Sequence, residues 1–584
     1  MYLERIEVTG YRGISRLTID LNVQTVLIGE NSWGKTSLLR GLWCLLGNGN
    51  IPYEFVQDDF YSEVTDFNES NDNKYKYSRD RFVSFVLTFR ERVLGESHAA
   101  KPLSDFKSIW VKSSDQYARI HYYVNGTMNK NGTVFTEHVF LDANGNVIPN
   151  IDDNLVMELI ALNPVFRLRD GRTGFENYDD EGEEIEDGVN LEIQTREDRT
   201  YTRRNYSELE DNITRLFRSY LNKDGNCISP SVIKDGIRSV EMLLEHYFTI
   251  LPPLASKSNR IIRKFNKRDS YRSVKEIVSR PFANDAFNSL ATLLKFSKNS
   301  TKRFFLAMIV GSLIESRGDR KISRYAKPIL IFEDIESRLH PTVLLNLWQV
   351  IELLPVQKIV TTNSADLLSS IGLTDIRRIF RHKNVTKSTS IDEKKFTNEE
   401  LRKIAFHIRI NRPMSLYARC WIFVEGETEI WLLNEFASML GISLQAEGVR
   451  LVEYAQCGVA PLIKLAKQLG IEWLLLTDGD EAGYKYARHA VNAGNEDRVT
   501  ILPSIDIEHF LYENGFENVY RRNTGETSLK GLNENKIIEI ALKRNTKPGM
   551  ALAIVDEARL IGKQCVPELF QKIFARSLVK SNTS

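Results

Sequence analysis

The chain has 584 residues, too many for one hydrophobic core, and its 42% hydrophobic and 10% aromatic content is that of a folded globular protein. Its 78 basic side chains are matched by 77 acidic ones, a net charge of +1, so a polyanionic partner must be held by local patches. Five scattered cysteines (Cys44, Cys227, Cys420, Cys457, Cys565) without a C-x-x-C pair exclude a disulfide framework and a zinc ribbon, and no signal-like or membrane-length apolar run occurs; a cytoplasmic setting without a membrane partner is expected.

Leu3, Ile6 and Val8, then Leu17, Ile19 and Leu21, with Gly10 and Gly13 between them, predict a β-hairpin opening an α/β domain. Residues 25–28 form a short buried strand, followed by a Gly-rich turn and a helix over 37–46. Residues 56–80 read as a loop, and strand patterns resume at 82–89 and 118–124. Eight acids in the twelve residues 176–187 mark a solvated insertion. From 205 to 300 the pattern is helical, with Leu209, Ile213, Leu216, Phe217 and Leu221 at helix spacing, which suits an arm or a dimerisation surface. Strands return at 328–332 and 358–361, a polar linker spans 383–400, and a second α/β unit opens at 421–424.

Gly29-Glu30-Asn31-Ser32-Trp33-Gly34-Lys35-Thr36 fits G-x-x-x-x-G-K-[ST] and lies between a strand and a helix. The chemistry needs that placement: backbone amides curl around a β-phosphate at the positive end of the helix, Lys35 neutralises β/γ charge, and the Thr36 hydroxyl coordinates Mg²⁺. Gly29, Asn31, Gly34, Lys35, Thr36 and Ser37 are the candidate ATP contacts. Much later, the apolar run 329–332 ends in Glu333-Asp334, followed by Glu336. A buried strand delivering two acids to its end is the Walker B arrangement, one acid for the Mg²⁺ shell and one to orient water.

Leu3-x-x-Ile6-x-Val8 followed by Tyr11-Arg12-Gly13-Ile14 resembles the opening of SMC/RecF/OLD-type ATPases, and the run 331–341 resembles their E-E-P-E-x-x-L-H-P block. Two positions depart from the pattern. Thr362-Asn363-Ser364 places Asn363 where the family has a histidine sensing γ-phosphate, and Ser297-Lys-Asn299-Ser300 lacks the glycine of the signature motif. Nucleotide binding with slow hydrolysis is the expectation.

The last third carries a second constellation. Val424-Glu425-Gly426-Glu427-Thr428-Glu429 follows a strand and enters a helix spaced by Ile430, Leu433 and Phe436. The strand 473–476 ends in Thr477-Asp478-Gly479-Asp480, and Asp506-Ile507-Glu508 comes later. Parallel strands present their C-terminal ends along one edge, so these acids can converge. Clustered carboxylates repel unless cations compensate them, and oxygen ligands suit Mg²⁺ or Mn²⁺. Two such ions about 4 Å apart would clamp the attacking and leaving oxygens of a phosphodiester.

The pattern is similar to the Toprim fold of topoisomerases, primases and OLD nucleases. That resemblance implies that Glu425, Asp478 and Asp480 serve one metal and that Glu429, with Asp506 or Glu508, serves a second. It also implies a catalytic C-terminal lysine: Lys547, in Thr-Lys-Pro-Gly, or alternatively Lys563, in Ile-Gly-Lys-Gln. The chain thus resembles the OLD (overcoming lysogenization defect) family. The fold implied is α/β, an ABC-type (SMC/RecF-like) P-loop ATPase with a helical insertion, followed by a Toprim α/β domain. The ATPase would occupy 1–204 and 301–400, the insertion or dimerisation arm 205–300, and the Toprim domain 401–584.

The function implied is an ATP-gated, two-metal DNA endonuclease, at least a homodimer, in phage defence or DNA repair, with a further protein or nucleic-acid component of such a system as a candidate partner. Residues 257–280, with nine basic side chains against two acids, and 541–584, with eight against three, are the candidate DNA tracks. The alternative is an ATP-switched DNA-binding scaffold with a non-catalytic Toprim domain, against which stands the presence of every Toprim acid. A topoisomerase or primase would call for a cleavage-tyrosine domain or a zinc ribbon, and neither is evident.

Overall fold

The computed structural model describes residues 1–47, 51–62, 67–68, 76–77, 80–152, 154–168, 326–337, 339–354, 356–382, 385–494, 496–525 and 531–583. Tyr2–Tyr11 and Ile14–Asp20 pair antiparallel around Arg12 and Gly13, with Tyr11 opposite Ile14. Leu3 and Ile6 differ in parity yet both are buried, because the register against the next strand shifts between Leu3 and Arg5. That sheet continues through Arg81–Arg90, Ala118–Met128 and Val134–Leu141, all antiparallel. Alternate residues Val83, Phe85, Leu87 and Phe89 face its core.

A parallel sheet follows in the order Val165–Leu168, Ile329–Phe332, Gln357–Thr361, Gln24–Ile28. Its two central strands are buried at every residue, as strands covered on both faces must be. Helix Lys35–Gly47 buries Leu38, Leu39, Leu42, Leu45 and Leu46. These elements belong to a compact unit of Met1–Leu27 with Gly34–Leu367; Ile28–Trp33 groups with Leu368–Ser584 in a second.

In the second unit, the hairpin Ile376–His382 with Val385–Ser390 precedes a four-stranded parallel sheet. The order of that sheet is Val449–Glu453, Cys420–Val424, Glu472–Thr477, Val499–Ile501. Ile422, Val424, Leu433, Phe436, Leu474, Phe510 and Phe570 share its core, and the rings of Phe436 and Phe570 stack 5.7 Å apart.

The α/β class is as expected, with local corrections. Residues 385–390 of the expected linker form a strand: Val-Thr-Lys-Ser-Thr-Ser has no apolar alternation, but Thr386 is buried and the partner strand supplies the hydrogen bonds. The linker also ends in helix Asn398–Ile404, opened by a reciprocal cap between Thr397 and Glu400. The expected loop 56–80 contains a one-turn helix, Gln57–Asp59, and the strand pair Phe67–Asn68 with Lys76–Tyr77. The acidic run 176–187, the helical segment 205–300, the basic run 257–280 and Ser297–Ser300 lie outside the described residues. Among the described residues no helix is long and apolar enough to cross a membrane.

Candidate nucleotide loop and Toprim active site

Gly29 and Gly34 adopt φ of +143° and +92°; a Cβ would lie 2.2 Å from the Ile379 carbonyl oxygen and 2.8 Å from Ile14 Cγ1, so both positions require glycine. Asn31–Trp33 form one tight turn and Lys35, 3% exposed, opens the helix, with Thr36 and Ser37 in its first turn. Backbone amides at the start of a helix that follows such a loop can bind an anion. In the second unit, Arg419 donates to Glu30 at 2.5 Å. The fully buried Arg378 donates to the carbonyls of Leu469 (2.9 Å), Gly470 (3.1 Å) and Ala418 (2.9 Å). Burial lowers the Arg378 guanidinium to about 10, with Glu30 opposing the shift.

Glu333 and Asp334 follow one central strand of the parallel sheet and Asn363 follows the adjacent one. Arg167 grips Glu333 at both oxygens, through Nε and through Nη2 at 2.9 Å. Arg167 went unnoticed in the sequence; its only signal was a basic residue in the short strand Val165–Leu168. Asp334 has φ of +45°, and its amide donates to Thr361 Oγ1 at 3.1 Å. A left-handed Asp at a strand end is held only by such surroundings. Glu336 accepts from Thr362 Oγ1 (3.0 Å) and from the Asn363 amide (2.6 Å), which fixes the loop and leaves Asn363 exposed.

In the four-stranded parallel sheet, Glu425 follows Cys420–Val424 and Asp478 follows the adjacent strand, Glu472–Thr477. Asp480 caps helix Glu481–Ala493, accepting from the Gly483 amide at 2.6 Å. A Cβ on Gly479 would lie 2.4 Å from the Ser504 carbonyl oxygen, and the Gly479 amide donates to that oxygen at 3.1 Å. The central glycine of Asp-Gly-Asp therefore lets the loop carrying Asp506 pack against the loop carrying Asp478. Asp506 caps helix Ile507–Leu511 and meets His509 Nδ1 at 2.5 Å. The carboxylate of Asp506 raises the His509 pKa against the effect of partial burial; His509 was missed in the sequence because a lone His carries no pattern. Glu429 accepts from the Gly426 amide at 2.8 Å and so also caps helix Glu427–Met439.

Lys547 reaches this edge through a break in the helical run Glu534–Ile561, where Thr546 has φ of +62° and Pro548 follows. The break restarts the helix with Pro in its first turn, and Lys547 Nζ lies 2.9 Å from Glu508 Oε1. Lys563 stands beyond the end of that run, past Ile561 and about 21 Å of helix at 1.5 Å per residue. The structure thus brings Lys547, not Lys563, to the acids.

The electrostatics show how crowded the acids are. Burial pushes Asp478 up to about 8, reinforced by Glu425, Glu429, Asp506 and Glu508. Burial and then Asp480 raise Glu425, while Lys547 opposes. Glu508 is 4% exposed, and among the described residues neither of its oxygens has a well-aligned hydrogen bond despite the nearby Lys547. Among the described residues no three Asp, Glu, His or Cys side chains form a ready metal cage. The donors are all carboxylates short of counter-charge, which fits Mg²⁺ or Mn²⁺.

One stability consequence follows. An acid raised on folding binds more protons in the native state, so its contribution falls as pH rises from its unfolded value of about 4 to about 8 in the fold. Without metal, Asp478→Asn should therefore melt above wild type, by about 1–3 kcal/mol at pH 8 after discounting for solvent screening, and by less at pH 5. Thermal melts in EDTA at the two pH values check it; a larger gap at pH 5 contradicts it.

Comparison with known proteins places the chain. Residues 1–415 match the family described as "Protein of unknown function (DUF2813)", and residues 416–480 match the "Overcoming lysogenization defect protein-like, TOPRIM domain". The protein YbjD of Escherichia coli (strain K12) is 36% identical over 586 residues, 99% of each chain. The C-terminal region of the Burkholderia pseudomallei OLD protein aligns at 21% identity over 28% of this chain and 99% of its own, with a TM-score of 0.25. The SMC head domain from Thermotoga maritima aligns at 10% identity over 67% of this chain and 100% of its own, with a TM-score of 0.26. With the family match covering most of its length, the chain belongs to the DUF2813 family, and it carries an OLD-like Toprim domain match after it, from residue 416.

Proposed function

We propose that the Toprim domain hydrolyses DNA phosphodiesters with two Mg²⁺ or Mn²⁺ ions and that ATP at the P-loop regulates it. The carrying observation is the convergence of Glu425, Asp478, Asp480, Asp506 and Glu508 on one sheet edge, together with Lys547, where burial first and then the neighbouring acids raise Asp478 to about 8. Glu425, Asp478 and Asp480 would hold one cation, and Glu429 with Asp506 or Glu508 the other. Bound cations neutralise charge on the attacking and leaving oxygens. Lys547 orients the phosphate from the break after Thr546, and the caps made by Asp480, Asp506 and Glu429 fix where their carboxylates stand.

ATP binds through Gly29, Asn31, Gly34, Lys35, Thr36 and Ser37, with Glu333 and Asp334 completing the Mg²⁺ side and Asn363 at the γ-phosphate end. A homodimer closes the nucleotide site, and the basic helices of 541–584 track the DNA backbone.

The test is conversion of supercoiled plasmid by the full chain with Mg²⁺ or Mn²⁺, with and without ATP. Nicked or linear product that needs the metal and disappears with EDTA is expected. DNA retardation without cleavage under every metal condition would replace the nuclease with an ATP-switched scaffold.

A further inference from the structure

Tyr454 follows the sheet strand Val449–Glu453, beside the strand that delivers Glu425. Its amide donates to the Val424 carbonyl at 2.9 Å and the next amide, of Ala455, donates to the Glu425 carbonyl at 3.2 Å. The ring is therefore anchored by backbone to the residue before the candidate ligand. It packs edge-on against Tyr486 at 5.1 Å, on the helix that Asp480 caps. The side chain is 1% exposed, and its hydroxyl makes no hydrogen bond among the described residues. A buried hydroxyl without a partner costs free energy, and this one, unlike that of Tyr11, lies beside the strand end that carries a candidate ligand.

We propose that Tyr454 is a positioning residue for the metal-binding carboxylates, its hydroxyl donating to Glu425 or Asp478 when those side chains are drawn onto a divalent cation. A ligating carboxylate leaves lone pairs that an adjacent donor can fix, which sets its orientation and strengthens binding. The surroundings favour a donor over a nucleophile. A phenol keeps its proton near neutral pH, and ionised carboxylates only accept, so the hydroxyl is the donor of the pair. The inference rests on the metal-dependent reading of this site.

The experiment compares the full-length wild type with Tyr454→Phe, which removes one oxygen and keeps the ring. Mn²⁺ alone is titrated by calorimetry, metal-free melting is measured in EDTA, and plasmid cleavage is followed across Mn²⁺ concentrations. Mn²⁺ affinity should fall about tenfold, while the metal-free melting temperature holds or rises because an unsatisfied hydroxyl has gone. Cleavage should fall at limiting Mn²⁺ and recover at saturation. Tyr11→Phe, which removes another fully buried hydroxyl with no hydrogen bond among the described residues, from the first unit, should leave Mn²⁺ affinity unchanged.

Equal Mn²⁺ affinity in wild type and Tyr454→Phe overturns the proposal, whatever the melting temperature does. Cleavage lost at saturating Mn²⁺ with affinity intact overturns it too, since that marks a residue in the chemical step. Failure of the nuclease reading looks different: wild type binds Mn²⁺, Tyr454→Phe binds it more weakly, and neither cuts. Wild type that binds no Mn²⁺ overturns both.

Discussion

Glu425→Ala is expected to reduce metal-dependent plasmid cleavage by about a thousandfold or more while leaving the fold intact. Glu425 is the cleanest of the acids to remove. It follows the strand Cys420–Val424 at a site only partly withdrawn from solvent, and its side chain makes no hydrogen bond among the described residues, so it contributes charge and little structure. Its loss relieves repulsion on Asp478, so the metal-free protein should melt at or slightly above the wild-type temperature. Asp478→Ala should behave alike. Asp480→Ala abolishes cleavage too but also removes the bond from the Gly483 amide, which costs about 1 kcal/mol of helix capping. Glu429→Ala carries the same confound through Gly426. Melts beside the cleavage assay separate the two effects. Wild-type cutting by Glu425→Ala would leave an ATP-switched scaffold as the reading to pursue.

The sequence disclosed those parts of the fold in which residue type and position are forced together. A nucleotide loop needs glycine at Gly29 and Gly34 because no Cβ fits, and the same logic holds for Gly479 between the acid loops. Strand-end acids were legible because they interrupt apolar runs. Contacts that depend on a distant segment were not. Arg167 reaches Glu333 across 166 positions, and Lys547 meets Glu508 only because Thr546 breaks a helix. The choice between Lys547 and Lys563 was therefore open on local pattern. The strand Val385–Ser390 escaped for a related reason: its polar residues acquire strand character from pairing, not from hydrophobic alternation. Tyr454, a buried aromatic after a strand, reads in sequence as ordinary core; only the unpaired hydroxyl distinguishes it.

Lys35→Ala should weaken Mg²⁺–ATP binding by about tenfold to a hundredfold or more, since one charge-assisted contact to the β/γ-phosphates is worth about 1.5–3 kcal/mol. Lys35 is 3% exposed at the first position of its helix. Alanine is the best helix former, so the variant should remain folded. Titration with a fluorescent ATP analogue measures the loss, and equal affinity in the two proteins contradicts the nucleotide assignment. Light scattering in the same buffers should show a dimer for wild type with ATP, and a monomer even with ATP would count against a shared nucleotide site. Turnover should be slow in wild type, because Asn363 is pinned through its amide to Glu336 and offers no imidazole to a γ-phosphate. Asn363→His should raise it if that position limits hydrolysis. If Glu425 and Asp478 hold metal without help from the phosphate loop, Lys35→Ala should keep its metal-dependent cutting and lose the response of that cutting to ATP. Loss of cleavage together with ATP binding would mean instead that nucleotide is needed to assemble the metal site.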